Sequence, residues 1–291
     1  MHRTVESDSK QSLNLANMLS GISCLDADGI YRCDFTNTEQ SVELALREKV
    51  AALRHDHPLE KVSRHHSIPV MDHEVARFLR RIPGGGRIVD VGGCWGWHWR
   101  KLGVLRPDVQ VVIVDFVRAN LLHACDLLGD AINRSIFLVH GDATDLRFPD
   151  GAFDGYWTVQ TLQHIPSFDK AVSEAFRVLK AGGVFANYSL NDQPLIRRLY
   201  RLLGRSYVTE GWVPGMYWLS RATPEQKRLI ESVCGATVSE RWSEILYKPE
   251  LRIIFPGVEG SWVGYLDARL SNNVGFLGML ARQRSFHCVK E

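Results

Sequence analysis

The spacing of apolar residues along this chain changes near residue 83. Before that point apolar residues recur with the three- and four-residue spacing of helices, and a capping-box pair, Thr36 and Glu39, precedes the first set. The first predicted helix carries these apolar residues: Val42, Ala45, Leu46, Val50 and Leu53. A second helix is predicted over residues 70–81. Residues 1–35 are polar and irregular, which predicts a loosely attached arm.

Beyond residue 83, short apolar runs alternate with helical segments. The predicted strands are residues 87–91, 109–116, 135–143, 153–159 and 183–190. One of the helices between them covers residues 167–179, with Ser167 as its N-cap. Alternation of strands and helices at this spacing predicts a parallel sheet with helices on both faces. In such sheets ligands bind beyond the carboxyl ends of the strands, near the point where the strand order reverses.

The last hundred residues are less regular. A helix is predicted to begin at Pro224, because Thr223 and Gln226 occupy N-cap and capping-box positions around it. Two further strands are predicted, "ATVSERW" (236–242) and "SFHCVKE" (285–291). The regions between these elements fit insertions or covering segments, and we assign them to residues 204–222 and 246–282. The chain is therefore expected to divide into an N-terminal arm with helices, residues 1–82, and one α/β domain, residues 83–291.

The composition narrows the class of protein. The chain has 291 residues, a formal net charge of +2 and six scattered cysteines with no C-x-x-C pair. These features favour a globular protein of the reducing cytosol, and the charge gives no reason to expect a nucleic-acid or membrane partner. Residues 1–20 lack the apolar stretch of a signal peptide, and no apolar run reaches the roughly 20 residues that span a bilayer. We expect a cytoplasmic protein and leave its oligomeric state open.

The stretch "IVDVGGCWGWHWRKL" (88–102) joins a predicted strand to a glycine-rich turn. Asp90 ends the apolar run, and Gly92, Gly93 and Gly96 follow, so the turn exposes backbone N–H groups. The dinucleotide pattern G-x-G-x-x-G is absent from this turn, and so is the Gly-Lys-Ser/Thr ending of a phosphate loop. The turn therefore gives little support for a phosphate site.

Three acidic residues stand at the ends of three successive predicted strands. Asp90 can hold an ammonium group, directly or through water. Asp115 lies 19 residues after the last glycine of the turn, a position suited to ribose hydroxyls. Asp142 can accept a hydrogen bond from an exocyclic amine such as that of adenine. Together the three acids describe a ligand with an amino group, a ribose and a base, but no phosphate.

Five motifs, in this order and spacing, identify a family. They are "VDVGGCWG" (89–96), "VDF" (114–116), "HGDATDLRFPDGAFD" (140–154), "TLQHI" (161–165) and "RVLKAGG" (177–183). In these motifs the chain resembles the class I S-adenosylmethionine-dependent methyltransferases, in particular the type 11 group. The resemblance implies an α/β fold with a Rossmann-like, doubly wound, seven-stranded sheet. It also implies S-adenosylmethionine as cofactor and S-adenosylhomocysteine as product.

The resemblance assigns roles to individual residues. It implies that Asp90, Gly92 and Gly96 frame the methionine end, that Asp115 holds the ribose, and that Asp142 with the backbone of Ala143 holds the adenine. Phe116 would pack on the base, and Trp95 would form a wall of the site. The complete predicted cofactor set is Asp90, Gly92, Gly93, Trp95, Gly96, Asp115, Phe116, Asp142, Ala143 and Gln160. Cys94 departs from the family pattern, because it occupies the place of the middle glycine.

His164 is the candidate catalytic residue. It follows the fourth predicted strand, where the family places residues that face the transferred methyl, and its ordinary pKa of about 6.5 suits a general base. A structural histidine bonded to nearby backbone is the alternative. His65 and His66, with Arg64, are expected to line the entrance. No metal is expected, because no third ligand stands at a suitable spacing from these histidines.

The glycines and tryptophans of the turn are expected to have different tasks. A β-carbon at Gly92 or Gly96 is expected to collide with the cofactor, so Gly96→Val should abolish binding and leave the melting temperature of the apo protein nearly unchanged. Trp97 and Trp99 are expected to pack in the core and to anchor the turn. Trp99→Ala should therefore lower the melting temperature.

The predicted function is methyl transfer to a small-molecule acceptor at an O, N or C atom. The alternatives are an RNA or protein methyltransferase and an S-adenosylmethionine-binding protein without catalysis. An arginine-rich helix would serve RNA, but a solvated face is favoured there; its residues are Arg197, Arg198, Arg201 and Arg205. Aromatic residues of the late part of the chain either build an acceptor pocket or pack the covering segments: Trp212, Tyr217, Trp218, Trp242 and Trp262.

Overall fold

The computed structural model describes residues 15–35, 40–51, 57–191, 198, 201–204, 224–272 and 275–291. Nine strands in this part of the chain form one sheet. They are β1 (Cys24–Leu25), β2 (Ile30–Arg32), β3 (Arg87–Val91), β4 (Gln110–Asp115), β5 (Ile136–His140), β6 (Phe153–Val159), β7 (Leu179–Leu190), β8 (Ser239–Ser243) and β9 (Gln283–Val289). Their order across the sheet is β1-β2-β5-β4-β3-β6-β7-β9-β8.

The strand order reverses beside β3. From β3 the chain goes to β4 on one side of the sheet, whereas β6 pairs with the other side of β3, and all these pairings are parallel. β9 is antiparallel to both β7 and β8. The carboxyl ends of β3, β4 and β6 therefore meet at a topological switch point, which is where open α/β sheets bind their ligands.

Helices cover both faces of the sheet. The helices are labelled α1 (Ser41–Ala51), α2 (Pro58–Ser63), α3 (Ile68–Leu79), α4 (Leu102–Leu105), α5 (Arg118–Leu128), α6 (Phe168–Val178), α7 (Pro224–Cys234) and α8 (Trp262–Leu270). Residues 15–22 are also helical. Short 3₁₀ turns occupy Trp97–Trp99, Gly129–Ala131, Leu162–His164, Pro249–Leu251 and Gly275–Met279.

Two apolar layers enclose the sheet, and the predicted doubly wound α/β architecture is confirmed. Ile88 and Val89 are neighbours in β3 but belong to opposite layers, as the two-residue period of a strand requires. α6 packs into the Val89 layer and α3 into the Ile88 layer. Because both faces are buried, the central strands are almost continuously apolar rather than alternating.

The sheet has nine strands, so the predicted number of seven is wrong. Residues 24–32 form a short hairpin whose second strand pairs in parallel with β5, with Ile30 opposite Leu138. Leu15 and Leu19 are fully buried in the core, so this part of the expected arm is firmly attached. Strands of two and three residues carry too little periodicity to be seen in a sequence, and β2 depends on a partner more than 100 residues away.

In the late part of the chain, one aromatic residue has neither of the two roles expected for it, the lining of a pocket or the packing of the covering segments. α8 lies against α3, where Gly264 approaches the ring of Pro69 closely. The indole of Trp242 lies beside Gly278, but Trp262 is 75% exposed and contributes to neither packing nor pocket. Trp212, Tyr217, Trp218, Arg197 and Arg205 lie outside the described residues, and of the predicted arginine helix Arg198 and Arg201 are described and exposed.

Candidate functional site

A cavity of about 530 Å³ opens at the carboxyl ends of β3, β4, β5 and β6. Most of the residues predicted from the sequence line it: Gly92, Gly93, Trp95, Asp115, Phe116, Asp142, Ala143, Gln160 and His164. His65 and His66 also line it, as expected for residues at the entrance, but Arg64 does not. Asp90 and Gly96 lie behind the wall rather than on it.

The glycines of the turn are required by the protein's own packing. Gly92 has φ +71° and Gly96 φ +64°, a backbone region that favours glycine. A β-carbon on Gly92 would overlap the side chain of Thr161. A β-carbon on Gly96 would lie 2.6 Å from Cδ1 of Ile113 and 2.7 Å from Cδ1 of Leu128. A side chain at Gly96 thus meets core residues of the protein itself, and we now expect Gly96→Val to destabilise the apo protein.

Cys94 retains the turn geometry at an energetic cost. Its φ is +51°, in the left-handed region where a residue with a β-carbon is strained. Its backbone N–H donates to Oδ2 of Asp115 over 2.9 Å, which ties the turn to the end of β4. Burial, and secondarily the nearby Asp115 carboxyl, raises the pKa of the Cys94 thiol, so the thiol stays protonated and unreactive.

Asp90 supports the turn from behind. It is 1% exposed, and Nε1 of Trp99 donates to its Oδ2 over 2.7 Å. A β-carbon on Gly93 would lie 2.5 Å from the same oxygen, so the backbone of the turn passes directly over the carboxyl. Burial raises the pKa of Asp90 to about 7, against the opposing effect of the Trp99 hydrogen bond. The carboxyl therefore changes its charge state near neutral pH.

Asp115 and Asp142 lie on the cavity wall and already bind the protein. Oδ1 of Asp115 accepts from the N–H of Val117 over 2.8 Å, in addition to the Cys94 bond at Oδ2. Burial raises the pKa of Asp115, and these backbone bonds oppose the rise. Oδ1 of Asp142 accepts from the N–H and the hydroxyl of Thr144. Both carboxyl groups are thus oriented before any ligand arrives.

The three tryptophans of the turn divide between wall and core. Trp99 is 1% exposed and its ring packs edge-on against Trp157, which confirms the prediction that it anchors the core. Trp95 lines the cavity, with its ring centroid 5.0 Å from that of His123. Trp97 is buried but also lines the cavity, so its assignment to the core was incomplete.

His164 lies on the cavity wall beside a cation. Its Nδ1 is 3.4 Å from a guanidinium nitrogen of Arg47, and its backbone oxygen accepts from Nε2 of Gln40. Burial, and then the Arg47 charge, lowers the pKa of His164 to about 3. The imidazole is therefore neutral at physiological pH. Sequence reasoning missed Gln40 and Arg47, because they come from a segment far ahead of the sheet and carry no motif.

One part of the cavity wall, formed by His66, Trp97 and His98, is called the histidine end below. His98 is 6% exposed and stacks on Trp97 with ring centroids 4.0 Å apart, and the ring of His66 lies 5.7 Å from that of Trp97. Neither ring nitrogen of His98 has a hydrogen-bond partner in the part of the chain that the structure describes. Sequence reasoning passed over His98, because a histidine between two tryptophans has no recognisable pattern.

Gln160 lines the cavity directly after β6. Its backbone is left-handed, with φ +54°, and its N–H donates to the backbone oxygen of Tyr188 over 2.6 Å. Its side-chain Nε2 is buried without a hydrogen-bond partner among the described residues. Strained backbone held by strong neighbours is typical of functional sites.

No three His, Cys, Asp or Glu side chains of the described residues come close enough together to hold a metal ion. None of the helices described has the length and apolar character needed to cross a bilayer. The six cysteines are free thiols, three of them buried.

Comparison with known proteins gives one family and several relatives. Residues 89–187 match the family described as "Methyltransferase domain". The ubiquinone/menaquinone biosynthesis C-methyltransferase UbiE of Methylobacterium nodulans is 34% identical over 117 residues, which are 39% of this chain and 46% of that protein. The sterol 24-C-methyltransferase of Aspergillus fumigatus is 34% identical over 126 residues, 40% of this chain and 33% of that protein. The matched segment thus covers less than half of the length of each of these two relatives.

Solved structures share the fold at low identity. The methyltransferase of Haloferax volcanii in complex with the Trm112 activator has a TM-score of 0.54 at 16% identity, with 84% of this chain and 96% of that chain covered. The [4+2]-cyclase SpnF has a TM-score of 0.50 at 18% identity, with 75% of this chain and 80% of that chain covered. These likenesses show the fold, and the second shows that one fold serves different reactions.

Proposed function

We propose that this chain, whose residues 89–187 belong to the class I S-adenosylmethionine-dependent methyltransferases, transfers a methyl group from S-adenosylmethionine to a small molecule. One observation carries the proposal. The glycine turn and the acids Asp115 and Asp142, which stand on three different strand ends, meet on the wall of one cavity. Chance placement of turn residues does not explain such convergence at a switch point.

The residues present fit this cofactor. The Asp115 carboxyl faces the cavity with both oxygens already oriented, which suits two ribose hydroxyls. Asp142 and the backbone of Ala143 would hold the adenine, with Phe116 against the base. Gly92, Gly93, Trp95 and the amide of Gln160 would surround the methionine part. When bound, S-adenosylmethionine supplies an electrophilic methyl group on a sulfonium.

The chain's own contribution is position and the exclusion of water. Trp95 and Trp97 close the walls with apolar surface, and the hydrogen-bonded turn holds the backbone in one geometry. Holding two reacting groups in line at contact distance can supply much of a rate enhancement. Such a site needs a base only where the acceptor must lose a proton.

His164 is a weak base in this environment. A pKa of about 3 means that its imidazole holds a proton poorly at neutral pH, and the Arg47 cation faces its Nδ1. Because a guanidinium only donates, Nδ1 accepts in that contact and Nε2 carries the proton. The role of His164 as a general base stays a prediction.

A carbon acceptor is the first to test. UbiE and the sterol methyltransferase are both named as C-methyltransferases, and the cavity walls contain large apolar rings. An RNA substrate has less support, because the net charge is only +2. A binding protein without catalysis is the second candidate, since Cys94 stands where the family has glycine. An assay for catalytic turnover distinguishes such a binding protein from an enzyme.

Calorimetry with S-adenosylhomocysteine tests the cofactor assignment. The wild-type protein should bind it, and Asp115→Ala should lose about 1–3 kcal/mol of binding free energy, the scale of a charge-assisted hydrogen bond. Asp145→Ala is the control, because Asp145 lies outside the cavity and pairs with exposed Arg147. Unchanged affinity in Asp115→Ala, or tighter binding of NADH, would contradict the assignment. A panel of quinols and sterols, followed by mass spectrometry for one added methyl group, then tests transfer.

A further inference from the structure

Residues 251–269, called the apolar segment below, expose large apolar side chains to solvent. Nearly half of the large apolar side chains that are exposed in the described part of the chain belong to this short segment. They are Leu251, Ile253, Ile254, Val258, Trp262, Tyr265 and Leu266. A single exposed apolar side chain is ordinary, but a group of this size marks an interaction surface.

The first part of the apolar segment is an ordered turn that carries two isoleucines. The N–H groups of Ile254 and Phe255 donate to the backbone oxygen of Leu251 over 2.9 and 2.8 Å. Ile253 is 93% exposed and Ile254 is 65% exposed. Turns normally carry glycine, proline or small polar residues. Packing of the protein itself therefore does not account for two isoleucines at this place.

The exposed face of α8 continues the apolar segment. The exposed residues of this helix are Trp262, Tyr265, Leu266 and Arg269. Their spacing of three and four residues places them along one side of the helix. The opposite side is buried against α3, where Gly264 approaches a proline ring. α8 is therefore amphipathic, and its exposed side combines two aromatic rings, a leucine and a cation.

The charges of the apolar segment favour an anionic partner. Its two acids are both engaged by the protein. Glu259 pairs with two cations outside the segment, and buried Asp267 accepts hydrogen bonds from three backbone N–H groups. Its two cations, Arg252 and Arg269, are exposed. The exposed side is thus apolar and positive, which complements the headgroups of anionic lipids.

We propose that the apolar segment binds the surface of an anionic lipid bilayer. Tryptophan and tyrosine are enriched at the membrane interface, because each joins an apolar ring to a polar atom, and the arginines pair with lipid phosphates. A second copy of the chain fits less well, since a two-fold contact would place this positive surface against itself. The net charge of the whole chain gave no sign of such a surface, because it does not show where the charges lie.

The apolar segment lies beside the cavity. The backbone oxygen of Gly257 accepts from the N–H of Ile68 over 2.8 Å, and a β-carbon on Gly257 would lie 2.4 Å from the backbone oxygen of His66. His66 and its neighbour His65 line the cavity. An apolar acceptor dissolved in the bilayer would therefore meet the protein close to the site. This last step rests on the proposed function, whereas binding to the bilayer does not.

Sedimentation with lipid vesicles, without cofactor or acceptor, tests the proposal. The vesicles contain either phosphatidylcholine alone or equal parts of phosphatidylcholine and the anionic phosphatidylglycerol. One variant combines Ile253→Ser with Ile254→Ser, and a second is Trp262→Ala. Leu25→Ser is the control, because it also removes an exposed apolar side chain, on the edge strand β1 and outside the segment.

We expect wild type to bind the anionic vesicles, and to bind phosphatidylcholine alone about tenfold more weakly or less. The isoleucine variant and Trp262→Ala should each lose about tenfold in affinity for the anionic vesicles, because apolar burial supplies part of the binding. Added salt should weaken the binding of wild type. Leu25→Ser should behave as wild type. All variants should keep the wild-type melting temperature and affinity for S-adenosylhomocysteine, because the replaced side chains are exposed and outside the cavity.

Three results would overturn the inference. The first is that wild type does not bind the anionic vesicles. The second is an equal loss of binding in Leu25→Ser, which would mean that the segment is not the site of contact. The third is self-association of wild type that the isoleucine variant loses while it still binds vesicles; analytical ultracentrifugation would then assign the segment to a second copy of the chain. The proposed function fails separately, if wild type does not bind S-adenosylhomocysteine.

Discussion

The glycine turn and the histidine end of the cavity wall differ in how their polar groups are satisfied. At the glycine turn, both oxygens of Asp115 and Oδ1 of Asp142 already accept hydrogen bonds from the protein. At the histidine end, both nitrogens of His98 are buried without a described partner. Groups that the protein satisfies itself are oriented for a ligand and also support the fold. Groups left unsatisfied reduce stability.

The backbone differs between the two ends as well. Gly92, Cys94, Gly96 and Gln160 all have positive φ, and they surround the turn. The histidine end consists of His66, which lies between α2 and α3, and of two residues of the 3₁₀ turn, and none of the three has a positive φ. Substitutions at the glycine turn are therefore expected to affect backbone geometry and stability first.

The largest effect is expected from Gly96→Val. The new side chain overlaps Ile113 and Leu128 and takes an unfavourable φ, so we expect a loss of about 3–5 kcal/mol in the free energy of unfolding. Gly103→Val is the control, because nothing lies within 4 Å of a β-carbon there. Urea unfolding of the apo proteins measures both. A fully stable Gly96→Val variant that fails to bind cofactor would restore the original expectation of a direct collision.

Trp99 should show a graded response. Trp99→Ala leaves a large cavity and removes the donor to buried Asp90, and we expect a loss of about 3–5 kcal/mol. Trp99→Phe keeps most of the ring and removes the hydrogen bond, which should cost about 1–3 kcal/mol. Chemical denaturation distinguishes the two values. Intact stability with lost activity in Trp99→Ala would instead place Trp99 at the acceptor.

Asp90 should make stability depend on pH. Its pKa is raised from 3.8 to about 7 in the folded protein. Between these two pH values the carboxyl is therefore protonated in the folded state and ionised in the unfolded state. Stability contributed by the protonated carboxyl is then fully present below about pH 4 and is lost as the pH rises to about 7. Asp90→Asn should remove this dependence, with a difference of a few kcal/mol across the range.

Unfolding curves of wild type and Asp90→Asn at intervals between pH 4 and 8 measure that difference directly. His98 and His164 have lowered pKa values, so they make stability rise with pH, the opposite of the Asp90 effect. Wild type and Asp90→Asn both contain these histidines, so their effect cancels in the comparison. A constant difference between the two proteins would show that Asp90 does not titrate in this range.

The smallest effect is expected from Cys94→Gly. Glycine accepts φ +51° without strain but loses more backbone entropy on folding, so we expect a net gain of about 1 kcal/mol or less. Cys94→Ala is the matched control, because it keeps the β-carbon and the strain. Differential scanning calorimetry compares the melting temperatures of the two variants. A lower melting temperature for Cys94→Gly than for Cys94→Ala would mean that the thiol packs favourably enough to outweigh the strain.

The central strands and the glycine turn were predictable because their signals are local. "RIVDV" and "FDGYWTV" are short stretches rich in apolar residues, and they form β3 and β6 with the predicted bounds. Helix α7 begins at Pro224, where a proline at the first turn predicted its start. The family motifs placed the acids at strand ends, and the structure brings Asp115 and Asp142 to one cavity.

The hairpin of β1 and β2, the partner of His164 and the burial of His98 were not predictable in this way. Each depends on residues distant in sequence: β2 on β5, His164 on Arg47, and His98 on Trp157. Burial is decided by the whole fold, so a histidine whose nitrogens lack partners looks in the sequence like any other histidine. The same reason hid the overlap of Gly96 with Ile113 and Leu128.

A crystal structure of the complex with S-adenosylhomocysteine tests the assignment of the site most directly. The account predicts ribose hydroxyls on Asp115 and the adenine beside Asp142 and Phe116. A ribose held elsewhere than at Asp115, or an adenine away from Asp142, would contradict the assignment of this part of the cavity to the cofactor.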